Sequence, residues 1–85
     1  MNENYTKKIS NLSNIAWKKY KEWAETKIEL RDERFWDRVT KDIRELVKEN
    51  TDDDTRQFFT DLLNAFAGLL NKEASKQYKQ ERLSL

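Results

Sequence analysis

The chain has no cysteine, no histidine and no proline, and only one glycine in 85 residues. Each absence closes off a class of chemistry. Without cysteine there is no disulfide staple, and without cysteine and histidine the common zinc sites cannot be assembled. Histidine is also the side chain that most readily moves protons near neutral pH. One glycine cannot supply a phosphate-cradling loop. Ser, Thr, Tyr and Lys remain as nucleophiles, with no His or Cys to activate them or take their place. The sequence therefore points away from an enzyme and calls for no cofactor and no metal.

An excess of one charge is also missing. Lys and Arg number 17, Asp and Glu 16, for a net charge of +1. A dedicated nucleic-acid binder usually shows a clear basic surplus, so nucleic acid is a disfavoured partner. No run approaches the ~18 apolar residues of a membrane span. Met1–Ser10 is polar and lacks the apolar stretch of a secretory leader. Together these features lead us to expect a soluble, cytoplasmic protein.

What is present is helical patterning. The length suits one domain, spanning residues 1–85, with fraying expected at 1–6 and 79–85. A chain of this size buries roughly 60–65% of its unfolded surface, so its core is thin. Aromatic residues still make up 12%, including three Trp, which favours a folded chain over a disordered one.

Apolar residues recur at three-and-four spacing. In the first segment these are Ile9, Leu12, Ala16, Tyr20, Trp23 and Ile28, widened by Trp17 and Ala24. Ser10 or Ser13 is the expected N-cap, and the helix is expected to run to about Leu30. Phe35, Trp36, Val39, Ile43, Leu46 and Val47 mark a second helix, with Asp32 as its N-cap and Asn50 as its stop. Thr51-Asp52-Asp53-Asp54 is the clearest boundary in the chain. A third helix is expected from about Asp53 to about Tyr78. Between Ile28 and Phe35 there is no Gly or Pro, and the two stripes stay in phase. A loop near 29–33 and one continuous long helix are both compatible with that spacing.

The third helix decides the architecture. From Phe58 to Leu70 its apolar side chains cover about 200° of the circumference, whereas a one-sided surface helix needs little more than about 100°. It must touch two neighbours. Those are the first two helices in an all-α three-helix bundle, or a second copy if a long helical hairpin dimerises into a four-helix bundle. Ala65, Ala67 and Gly68 add a small-residue patch to this helix, read as an internal crossing or an exposed glycine without a role.

Three clusters invite functional readings. Trp17, Tyr20 and Trp23 alternate with Lys18, Lys19 and Lys21, a pattern that stacks bases and contacts phosphates. On the wheel, however, Tyr20 and Trp23 lie on the core stripe. Asp52, Asp53 and Asp54 lack the alternating ligands, glycine and distal glutamate of a calcium loop, and helix capping accounts for them. Asp32, Glu33 and Asp37 interleave with Arg31, Arg34 and Arg38, which reads as a solvated lattice of charges.

The expected function is therefore a small non-enzymatic interaction or regulatory protein. It presents a helical surface to a partner protein, with Trp17, Trp36, Phe58 and Phe59 as contact residues. One alternative is a nucleic-acid-binding regulator using Lys7, Lys8, Lys18, Lys19 and Lys21. The other is a purely structural homodimer.

Overall fold

The three-and-four apolar spacing is realised as three helices. A computed structural model of the chain describes residues 3–83, with side chains given for residues 4–76. Helix α1 spans Glu3–Ala24, α2 spans Glu33–Asn50 and α3 spans Arg56–Leu83, with one 3-10 turn at Ile28–Leu30. Lys8 near the start of α1 reaches Asp52 just before α3, and Tyr20 further along α1 stacks on Phe66. Helices α1 and α3 thus run parallel, and α2 returns antiparallel to both. The fold is an all-α three-helix bundle in which α3 packs along both α1 and α2.

The core holds Leu12, Ala16 and Trp23 of α1, Phe35 and Val39 of α2, and Phe59, Leu63 and Leu70 of α3. Trp23, Phe59, Leu63 and Leu70 are essentially inaccessible. Burying each such side chain contributes about 1.5–3 kcal/mol. The indole of Trp23 donates to Asp42 Oδ2 at 2.9 Å, so its polar edge is satisfied inside the bundle. No buried side-chain nitrogen or oxygen among the described residues lacks a hydrogen-bond partner.

The first helix starts and ends earlier than its serines and apolar stripe suggest. It begins by Glu3, and Ser13 lies inside it, donating to the Ile9 carbonyl at 2.8 Å instead of capping. It ends at Ala24, six residues before Leu30, and Ile28 sits in the 3-10 turn. The long continuous helix is therefore excluded, and residues 25–32 separate α1 from α2.

Arg31 explains the break. Its side chain is only 2% exposed. The guanidinium donates to Thr26 O at 3.0 Å, Leu70 O at 3.4 Å and Ala24 O at 3.5 Å, and pairs with Glu73 at 3.2 Å. Helix C-termini are commonly closed by a glycine in the left-handed conformation. Here no residue has that conformation among those described, and the five-donor fork of an arginine takes the open carbonyls instead.

The other two boundaries rest on capping. Asp32 Oδ1 accepts from the Phe35 amide at 3.1 Å, as its place before the second stripe suggests. Helix α2 stops at Asn50, but not through a left-handed asparagine. Asn50 donates to Leu46 O at 2.9 Å, and the Thr51 hydroxyl donates to Val47 O while Thr51 itself is extended. Ahead of α3, Asp52 and Thr55 form a reciprocal box. Asp52 Oδ1 accepts from the Thr55 amide and hydroxyl, and Thr55 Oγ1 accepts from the Asp52 amide. Thr55 is 2% exposed and fully bonded, which is why a hydroxyl is tolerated there.

Candidate interaction surface

The two-sided apolar coverage of α3 is larger than its neighbours consume. Leu63 is wholly buried in the core, and Phe58, Leu62, Phe66 and Leu69 follow one another three and four apart on one side of α3, with Phe66 at the seam with α1. On the α1 side the seam is completed by Trp17 and Tyr20, one turn apart.

The aromatic rings form a continuous ridge. Trp17 and Tyr20 stack at 5.7 Å between centroids, Tyr20 and Phe66 at 5.0 Å, and Trp17 meets Phe66 tilted at 6.2 Å. Such pairs are worth about 0.5–1.5 kcal/mol beyond the area they bury, so the ridge is ordered before anything docks on it. Yet Trp17 remains 48% exposed and Leu69 50% exposed. Lys21 Nζ lies 5.6 Å from the Trp17 ring centre, where the ring's negative face attracts it.

The four aromatic contact candidates part company. Trp17 lies at the centre of the ridge and Phe58 lies partly buried at the start of its α3 flank. Trp36 is half-buried on α2, edge-on to Phe35 at 4.9 Å, and is not part of the ridge. Phe59 is wholly buried in the core, so in this fold it has no surface to offer a partner.

The lysines of the nucleic-acid alternative do not converge either. Lys8 is bound to Asp52 at 2.8 Å and Lys19 to Glu22 at 3.2 Å. Lys21 rests on Trp17, while Lys7 and Lys18 are exposed on the outer side of α1. Tyr20 and Trp23, the rings between them, are turned inward. The Arg31–Arg38 stretch is not a free lattice: Arg31 is buried, Asp32 caps α2, and Arg38 lies over Phe35 at 5.4 Å and reaches Thr26 at 3.3 Å.

No group of three or more carboxylates is gathered to hold a metal ion among the described residues. No helix there is long and apolar enough to cross a membrane. Comparison with protein-family models, curated proteins and solved structures finds no match.

The ridge was only partly legible in the sequence. The wide apolar arc of the third helix pointed to two packing neighbours, and α1 and α2 are those neighbours. Phe66 and Leu69 belong to that arc, but single-helix patterning does not say which of its edges a neighbour covers.

Proposed function

We propose that the protein is a non-enzymatic docking module that binds another protein through the ridge Trp17–Tyr20–Phe66–Leu69. The observation that carries this reading is an ordered aromatic stack of Trp17, Tyr20 and Phe66 in which Trp17 is half open to solvent, with Leu69, also half exposed, one turn from Phe66 along α3. Binding hot spots favour Trp and Tyr in such settings, because a rigid ring gives large contact area with little ordering cost. The partner presents its own apolar face to this ridge. Lys21, which rests on the Trp17 ring, favours a partner with acidic residues beside that face.

The test uses Leu69→Ser and Trp17→Ser, changed at positions that are already half exposed. Each is used beside the wild-type chain as bait in extract of the native host, with helix content checked by circular dichroism. A protein retained by the wild type and lost by both variants supports the reading, and equal retention overturns it. Solution mass separates the remaining case: a dimer dispersed by Leu69→Ser assigns the ridge to a second copy of the chain.

A further inference from the structure

A second feature lies on the other flank of α3 and owes nothing to the ridge. Ile43 and Val47 of α2 form the apolar floor of a cleft of about 400 Å³ between α2 and α3. Its rims carry Arg44 and Lys48 from α2 and Arg56 and Thr60 from α3. The floor and rim have one local cause. Positions 43 and 47 are one helical turn apart, and positions 44 and 48 lie beside them, rotated by about 100°. The two cations therefore stand along one wall, with an aliphatic strip beneath.

The charges at this cleft are largely uncompensated. Arg44 and Lys48 make no ion pair with any described residue. Arg56 pairs with Asp53 at 3.1 Å, but both side chains are exposed, so an incoming carboxylate can replace that contact. The two threonine hydroxyls at the cleft are already committed to helix carbonyls, Thr51 to Val47 O and Thr60 to Arg56 O. They offer an approaching group no free proton. Cations are thus the donors left for a ligand, with Arg44 and Lys48 one turn apart on α2 and Arg56 across the cleft on α3.

We infer that this α2–α3 cleft binds an acidic, amphipathic peptide segment of a partner protein, with aliphatic side chains on Ile43 and Val47 and carboxylates on Arg44, Lys48 and Arg56. A spread row of cations beside an apolar strip matches a ligand that alternates the two chemistries along its length. A single small anion would leave the aliphatic floor bare. A nucleic acid would engage the cations but not the aliphatic floor, since Ile43 and Val47 offer no ring for a base to stack on.

The probe is a fluorescein-labelled peptide of repeated Glu-Leu-Leu-Glu units, followed by anisotropy at low and at physiological salt. Peptides with Gln for Glu, and with Ala for Leu, serve as controls, as does a labelled single-stranded oligonucleotide. The wild-type chain is expected to bind the Glu-Leu peptide at low salt and to lose affinity as salt rises. Losses of about tenfold or more are expected for each control peptide and for the Arg44→Glu/Lys48→Glu double variant. Lys18→Glu/Lys21→Glu, on α1 and outside the cleft lining, is expected to bind like the wild type. Circular dichroism confirms that both variants remain helical, since all four positions are exposed. Three results would each overturn the inference: no binding at low salt, equal binding by the Arg44→Glu/Lys48→Glu variant, or tighter binding of the oligonucleotide than of the peptide. Loss of binding in the Lys18→Glu/Lys21→Glu variant would move the peptide to α1 and overturn it as well.

Discussion

Trp23 Nε1 lies 2.9 Å from Asp42 Oδ2, and through that bond the buried indole of α1 fixes the rotation of α2. Removing the acceptor would leave an indole N–H in a site where the ring is 1% exposed. Asp42→Ala is therefore expected to lower stability by about 1–3 kcal/mol. Asp42→Asn keeps an acceptor and is expected to lose less than half as much. Urea unfolding followed by tryptophan fluorescence, with an unchanged denaturant slope, measures both. No loss in either variant would mean that the bond contributes nothing of its own.

Arg31 ties three segments together, so its removal should be felt across the molecule. Arg31→Ala exposes the carbonyls of Ala24, Thr26 and Leu70 and is expected to cost about 2–4 kcal/mol. Arg31→Lys should rescue little, because a point-like ammonium cannot span carbonyls on two helices and a loop. Amide exchange would show where the loss falls. The end of α1 and residues near Leu70 should open faster than the middle of α2.

Gly68 is exposed in the interior of α3, and a Cβ placed there would meet nothing within 4 Å. Its flexibility serves no turn and no close approach. Gly68→Ala is expected to raise stability by about 0.5–1 kcal/mol, read as a higher melting temperature. A fall in stability would reveal a crossing at Gly68 that the fold does not contain.

Asp52 supplies a pH dependence. The Lys8 ammonium, and then the Thr55 hydroxyl, hold its carboxyl down at about 2, below the ordinary 3.8. The folded chain therefore binds this proton less readily than the unfolded chain. The contribution is present above about pH 4 and is lost as pH falls through about 2. Lys8 is displaced upward by the same pair, so its share fades only at strongly alkaline pH. In a carboxyl-carbon NMR titration, Lys8→Met should move Asp52 up toward its ordinary value, though not fully, because Thr55 still donates. An unmoved titration would deny the ion pair.

The sequence carried the all-helical class, the three-helix bundle as one of two architectures and most of the core, because spacing at a helical period reports directly on which side is buried; it left open whether the first two helices were one. It carried Asp32 and the Asp52 region as boundaries, because capping is local chemistry. It did not carry the end of α1. That end is made by Arg31, seven residues beyond Ala24, and the arginine is useful there only because α3 passes within reach. Ser13 misled for the converse reason: a hydroxyl that looks like a cap can equally turn back onto its own helix. Trp17 was legible as a marginal aromatic. Its stacking partner Phe66 was not, since parallel packing of the first and last helices is a tertiary fact.

The bundle is closed by α3, and that orders events during synthesis. The pairs that join α1 to α3 are widely separated in the chain, 44 residues apart for Lys8 and Asp52. While a ribosome is still extending the polypeptide, Leu12, Ala16 and Trp23 have emerged without their main counterpart. A nascent chain halted before Phe59 would display those side chains to chaperones and proteases. Emergence of α3, and not the growth of the first two helices, is the moment at which this bundle acquires its interior.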